Sequence, residues 1–93
     1  MRAELIEIYS DATNAVVIRH PGRRFPGVLV QGDTLHSLVR SLEQARRETE
    51  STDSDSRDAL DEVIEQLQQL LGHYKAVLAE HDIELPFDDP PRA

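Results

Sequence analysis

Four histidines are the side chains in this sequence best suited to metal binding or acid–base catalysis, and their spacing favours neither. His20, His36, His73 and His81 form no His-Glu-x-x-His pattern and no pair four residues apart on one helix face. No Gly-x-Ser-x-Gly elbow surrounds a serine, and the glycines form no phosphate-binding loop. We therefore predict no catalytic residue, no metal ligand and no cofactor, and a protein that is not an enzyme.

Charge is the stronger chemical signal. Residues 1–47 carry seven arginines against five acids, a net +2, whereas residues 48–93 carry three bases against thirteen acids, a net −10. Such an acidic half repels nucleic acid and anionic lipid, and it accelerates encounter with a basic protein. The carboxylates that we predict to contact a partner are Asp61, Glu62, Glu65, Asp88 and Asp89. The alternative is a solvated helix face that stabilises the helix N-terminus and keeps the domain in solution.

A short basic segment offers a second surface. His20, Arg23, Arg24 and Phe25 lie in a segment that contains two Pro-Gly pairs, and cations beside an aromatic ring are typical of contacts to RNA or phosphate. Three cations against a net charge of −8 give little of the counterion-release energy that nucleic-acid binding needs. We expect a loop that shields the edges of a sheet, or one that contacts an acidic protein, and no nucleic-acid binding by this chain alone.

The elements that position these residues begin with strands. Residues 3–9 alternate in polarity, residues 15–19 are rich in β-branched side chains, and residues 28–31 form a third short apolar run. Turn-forming residues separate the first two runs, which predicts a hairpin. A first helix is predicted to start at Asp33 or Thr34, either of which can cap it.

The second half of the sequence is dominated by one helical pattern. Residues 48–58 contain mostly Glu, Ser, Thr and Asp and predict a flexible connector. Candidate caps Ser54, Asp55 and Ser56 follow, and a long amphipathic helix is then predicted from the spacing of its apolar residues. Residues 83–87 alternate again and predict an edge strand, after which residues 88–93 are expected to fray. The helix also offers a self-interface for a homodimer, consisting of Leu67, Leu70, Leu71 and Tyr74.

These elements predict one α+β domain over residues 1–93, with a small antiparallel sheet in the order β-β-β-α-α-β and two helices packed on one face. Ninety-three residues suffice for a single modest core. The absence of cysteine, of a signal-peptide pattern and of a long apolar run predicts a soluble cytoplasmic protein that is not inserted in a membrane.

One segment resembles a known family. Residues 25–35, with the pattern P-G-x-x-x-Q-G-D-T-L, are similar to the segment that ends the β-hairpin and opens the first helix of HicB-type antitoxin domains. Residues 78–86 are similar to the closing helix end and edge strand of that family. The whole sequence also resembles a small bacterial family of unassigned function, which shares I-Y-S-D-x-T-N-A at 8–15 and R-x-P-G-R-R-F-P-G at 19–27.

The HicB resemblance implies a partial double-stranded-RNA-binding-like fold and a non-enzymatic role, in which the domain covers the surface of a small toxin ribonuclease. Our leading functional expectation is therefore an antitoxin-like or immunity-like protein that neutralises a basic partner of the toxin or nuclease type. The alternative is a structural or regulatory homo-oligomer that pairs through the second helix.

Overall fold

Three short strands form the first part of the chain. In the computed structural model, which describes residues 1–49 and 53–89, they are β1 (Glu7–Ser10), β2 (Val16–Arg19) and β3 (Gly27–Leu29). The sheet is antiparallel in the order β1-β2-β3, so β1 and β3 are its edges. The predicted hairpin and third strand are confirmed, although each strand is shorter than its sequence pattern.

A tight turn makes the β1–β2 hairpin. The amide of Ala15 donates to the carbonyl of Ala12 at 2.9 Å, and Asn14 has a φ of 61°. Asparagine tolerates this left-handed conformation better than most residues, which explains why a turn-forming sequence lies here. A register shift between Ile8 and Ser10 adds a bulge on the β1 side.

The pairing gives the sheet one apolar face and one mixed face. Ile8 pairs with Ile18, and Val16 pairs with Leu29. Residues directly opposite each other share a face, and successive residues alternate. The other face therefore carries the Glu7–Arg19 pair, which is also joined by an ion pair between the two side chains.

Two helices follow, α1 (Gly32–Glu48) and α2 (Ser54–Glu80). The predicted α+β class and the order of three strands followed by two helices are confirmed. Val39 of α1 and Ile64 and Leu71 of α2 are the buried apolar residues among those described. The two helices pack against each other through this seam.

Close packing at one end of the helix pair depends on a glycine. A Cβ placed on Gly32 would overlap the ring of Tyr74, so only a hydrogen fits there. Tyr74 and Gly32 therefore fix how closely the start of α1 approaches α2.

Two sequence predictions need correction here. The acidic connector does not extend to 58, because Ser54 to Asp58 form the first turns of α2; residues 50–52 lie outside the described residues. The N-cap is Asp53 rather than a later residue, since its carboxylate accepts from the Asp55 amide at 3.1 Å and the Ser56 hydroxyl at 2.7 Å.

The edge strand predicted over residues 83–87 does not form. After α2, Asp82 adopts a φ of 54° and the amide of Ile83 donates to the carbonyl of Leu78 at 2.9 Å, which closes the helix end. The Phe87 ring then stacks on His36 of α1, with ring centroids 3.9 Å apart and planes 11° from parallel. Pro86 has no amide hydrogen to give to a strand ladder, so the segment packs on the helices through side chains. Of the residues 88–93 predicted to fray, residues 90–93 lie outside the described residues.

Among the described residues, neither α1 nor α2 has an apolar stretch of the length and hydropathy that a membrane span requires.

Candidate functional site

An acidic stripe lies along one side of α2, and it consists of Asp55, Asp58, Glu62 and Glu65. Steps of three, four and three residues place these side chains on one helix face, and the stripe is about 15 Å long at 1.5 Å per residue. All four residues are exposed. Within residues 1–49 and 53–89, their carboxylates make no hydrogen bond or close ion pair, although the charge of Asp58 also acts on Arg46 of α1. The stripe therefore presents four negative charges in a row to solvent.

The helix dipole explains only the start of this stripe. Asp55 lies in the first turn of α2, where a negative charge stabilises the helix N-terminus. That stabilisation is confined to the first turn, whereas Glu62 and Glu65 lie two and three turns further along. Carboxylates three and four residues apart repel each other and lower the stability of a helix. The stripe is therefore not accounted for by the needs of α2 itself.

Asp61, which we predicted as a partner contact, belongs to a different arrangement. Its carboxylate accepts from Arg46 of α1 through Nε at 2.6 Å and Nη2 at 3.3 Å. This hydrogen bonding lowers the pKa of the Asp61 carboxyl below its ordinary range, and the same interaction raises the pKa of Arg46. Asp61 therefore joins the two helices, and its charge is largely compensated within the protein.

The second pair of predicted acidic contacts lies at the other end of α2. Asp89 accepts from Lys75 at 2.8 Å, and the Lys75 ammonium also lies 6.0 Å from the centroid of the Phe87 ring. Asp88 is exposed beside them. Asp89 therefore contacts α2 ten residues, or about 15 Å, beyond Glu65, and the five predicted carboxylates do not form one continuous site.

A shallow groove crosses the helix pair beside the stripe. It has a volume of about 570 Å³, and its lining includes Glu65 together with Arg46 and Arg47 of α1. Gln68 of α2 donates to Glu43 of α1 at 2.8 Å within it. The groove mixes both signs of charge, so Glu65 lies at the boundary between the acidic stripe and a compensated polar surface.

The basic loop forms a groove of its own within the strand unit (residues 1–31), the first of the two compact units of the chain. This groove has a volume of about 480 Å³ and is lined by the four predicted loop residues and by apolar residues of β2 and β3. The guanidinium of Arg24 lies 5.4 Å from the centroid of the Phe25 ring, and Nδ1 of His20 accepts from the amide of Gly22 at 3.1 Å. All four predicted loop residues are exposed.

The residues predicted for a self-interface divide between the inside and the outside of the helix pair. Leu71 is only 3% exposed and belongs to the seam with α1, whereas Leu70 is 57% exposed. Leu67 and Tyr74 are partly buried, Tyr74 against Gly32. Leu70 is therefore the member of this set that remains fully available to another chain.

The histidines lie in different parts of the described chain. His36 stacks on Phe87, and its Nδ1 is buried without a hydrogen-bond partner in the described structure. His73 and His81 are exposed on and just after α2. In the described part of the chain, no group of three or more His, Asp or Glu side chains is arranged to hold a metal ion.

Sequence reasoning missed two members of the acidic stripe. The sequence pattern predicts Asp55 as a candidate cap and Asp58 as part of the connector, because it places the start of α2 too late. Once α2 is taken to begin at Ser54, the spacing of acids at 55, 58, 62 and 65 identifies a helix face from the sequence alone. The Arg46–Asp61 pair had no such signal, since its members lie fifteen residues apart on two helices.

Comparison with known proteins places the chain in one family. Residues 1–87 match a family described as "Family of unknown function (DUF6959)". The chain belongs to this family. The match covers the three strands, both helices and the segment that ends at Phe87. No curated protein and no solved structure gives a significant match to the chain.

Proposed function

We propose that this chain is a non-enzymatic binding protein, antitoxin-like or immunity-like, that docks its acidic stripe onto a basic protein and covers part of that protein's surface. The observation that carries the proposal is the row of exposed carboxylates along α2, which extends beyond the first turn of the helix. The similarity of residues 25–35 to HicB-type antitoxin domains supports the antitoxin-like form of this role.

The electrostatics of the stripe supply a mechanism. Four like charges on one helix face repel each other in the free protein, and cationic side chains of a partner replace that repulsion with attraction. The helical unit, residues 32–93, carries six bases against fifteen acids, a net −9. A field of this sign accelerates the encounter with a positively charged surface and fixes its orientation.

Association of this kind depends strongly on ionic strength. Exposed charges are screened over about 8 Å at physiological salt, so we expect the association rate to fall steeply as salt is added. Lys75–Asp89 and Arg46–Asp61 are already paired, so this dependence should come from exposed carboxylates without a partner among the described residues, the stripe included.

The test is a comparison of two charge-neutralised variants. One carries Asp58→Asn, Glu62→Gln and Glu65→Gln in the stripe. Its matched control carries Asp11→Asn, Asp82→Asn and Glu84→Gln, three exposed carboxylates without a side-chain partner among the described residues. Both variants gain three charge units, so a difference between them reports position rather than net charge.

Each tagged protein is purified from its native host at low salt, and the retained proteins are quantified. We expect wild type and control to retain the same basic protein, and the stripe variant to lose it. The purified partner is then mixed with each version, and its own activity is measured. The proposal fails if the stripe variant binds and inhibits the partner as well as the control does, or if no basic protein is retained by wild type.

A second candidate function rests on a separate observation. Val63 and Leu70 lie seven residues apart on α2 and are 48% and 57% exposed. Apolar residues with this spacing are typical of a helix that pairs with another helix. Under this alternative the chain is a homodimer, and its mass should stay doubled at high salt and fall to that of the monomer in Leu70→Glu.

A further inference from the structure

Gly27 is a glycine in β3 that the fold of the chain does not require. Its φ is not positive, and a Cβ built on it would meet no atom within 4 Å. Glycine lowers the stability of a strand because it has the largest conformational entropy to lose and no side chain to pack. A glycine inside a strand without such a requirement is typical of a position that another backbone approaches closely.

Gly27 lies on an open edge of the sheet. β3 pairs with β2 on one side only, so the N–H and C=O groups on its other side have no ladder partner. Among the described residues, no backbone hydrogen bond outside the ladder reaches residues 27–29. An unpaired strand edge is a template for an added strand, which gains affinity from main-chain hydrogen bonds.

The surroundings of this edge specify the chemistry of an added strand. The groove of about 480 Å³ beside it has apolar walls formed by Ile18, Val28 and Leu29, and its volume lies within the range of ordinary ligand sites. Arg23 and Arg24 line the same groove, and neither makes an ion pair within the described parts of the chain. An extended segment that alternates apolar and acidic side chains fits both features.

The opposite edge of the sheet lacks this combination. On β1, Glu7 is paired with Arg19 and also accepts from the Tyr9 hydroxyl. The cationic groups without an acidic partner are therefore concentrated at the β3 end of the sheet. Electrostatic complementarity of this kind selects an acidic partner segment and suppresses basic ones.

We propose that the free edge of β3 binds an extended acidic segment of another protein as an added strand, with the partner backbone against Gly27 and its carboxylates facing Arg23 and Arg24. Single-stranded RNA fits the groove less well. Arg24 already lies over the Phe25 ring that a base would stack on, and the walls are aliphatic. This proposal does not depend on the acidic stripe, because it concerns residues 18–29 alone.

The test uses the full chain and a fluorescent peptide that alternates glutamate and valine. Two further probes are a lysine–valine peptide and a glutamate–valine peptide with alternate N-methylated amides, which cannot complete a ladder. We expect the glutamate–valine peptide to bind, and both other peptides to bind at least about ten-fold more weakly. Hydrogen exchange at the amides of residues 27–29 should slow when the first peptide binds.

Variants of the chain distinguish binding at this site from a general effect of charge on peptide binding. Gly27→Val adds a side chain perpendicular to the plane of the sheet and raises the strand preference of β3, so it should keep both the fold and the binding of the peptide. Gly72→Ala, where a Cβ also meets nothing within 4 Å, is the control outside the sheet, and its binding should be unchanged. Arg23→Glu with Arg24→Glu should abolish binding of the acidic peptide.

The proposal is overturned if the glutamate–valine peptide does not bind, or if it binds the variant with Arg23→Glu and Arg24→Glu as tightly as wild type. It is also overturned if N-methylation has no effect, because the backbone would then play no part. Tighter binding of an oligouridylate than of the acidic peptide would assign the groove to RNA instead.

Discussion

The strand unit and the helical unit of this chain differ in how they are stabilised and in the charge that they present. Residues 1–31 carry four arginines against three acids and contain no buried residue, so the unit depends on its backbone ladder. Residues 32–93 have a net charge of −9 and bury Val39, Ile64 and Leu71 between two helices. The cationic edge and the acidic stripe thus belong to different units, and a different kind of interaction stabilises each unit.

The sharpest test of this comparison is in the helical seam. Leu71→Ala removes a side chain that is 3% exposed, and we expect a loss of about 2–5 kcal/mol in the free energy of unfolding, because a cavity remains. Leu70→Ala is the matched control; at 57% exposure it should change stability by about 0.5 kcal/mol or less. Urea denaturation followed by circular dichroism measures both. Equal losses would mean that Leu70 is covered by another chain in solution.

The hairpin of the strand unit offers the next largest effect. Asn14 has a φ of 61°, a conformation that costs a β-branched residue about 1–2 kcal/mol. We expect Asn14→Val to weaken the hairpin by this amount and Asn14→Gly to leave it unchanged, with hydrogen exchange of the β1 and β2 amides as the measurement. If exchange of the helical amides also accelerates in Asn14→Val, the two units unfold together and the comparison fails.

Two glycines of the helical unit should respond in opposite directions. Gly72 lies inside α2 with open space beside it, so Gly72→Ala should raise the free energy of unfolding by about 1 kcal/mol. In Gly32→Ala, the new methyl group would overlap the Tyr74 ring, and we expect destabilisation. Thermal unfolding of the two variants checks the signs. A loss in Gly72→Ala would reveal a contact at that position that the free chain does not make.

The smallest effect is the dependence of helical stability on pH. Arg46 lowers the pKa of Asp61 in the folded protein, so the pair stabilises the fold above the ordinary pKa of Asp. This contribution is lost as the pH falls through the folded pKa, below about pH 4. Asp61→Asn should flatten the stability profile in this acidic range, measured by denaturation at several pH values.

Glu62→Gln is the control for the pH dependence of Asp61→Asn, since it removes a stripe carboxylate that has no partner among the described residues. In this control the free energy of unfolding should still fall at acidic pH, and it should be slightly higher at neutral pH because repulsion is reduced. A profile for Asp61→Asn that matches wild type would show that the Arg46–Asp61 pair does not hold the helices together in solution.

Most of the fold could be predicted from local patterns. The alternation before residue 10, the turn formers at 10–14 and the helical spacing of apolar residues at 60–78 each specify an element through nearby residues. The prediction of a closing strand was wrong because the alternation over residues 83–87 is compatible either with strand pairing or with packing through side chains. The stack of Phe87 on His36 is a long-range interaction that no local pattern encodes.

The candidate sites show the same division. The predicted carboxylates Glu62 and Glu65 belong to the acidic stripe, whereas Asp61 is drawn into a pair with Arg46. All three acids lie within residues 61–65, so their sequence context does not show which of them forms an ion pair. Only the packing of α1 against α2 determines which carboxylate meets a guanidinium.

By itself, the sequence determined the class of the protein, the order of its strands and helices and the concentration of negative charge in its second half. These properties follow from propensity, periodicity and composition, which act over a few residues. Tertiary structure alone decided that Leu71 is buried while Leu70 is exposed, that a ring stack takes the place of a final strand, and that open space lies beside Gly27. The physical reason is that burial, pairing and empty space depend on atoms brought together from distant parts of the chain.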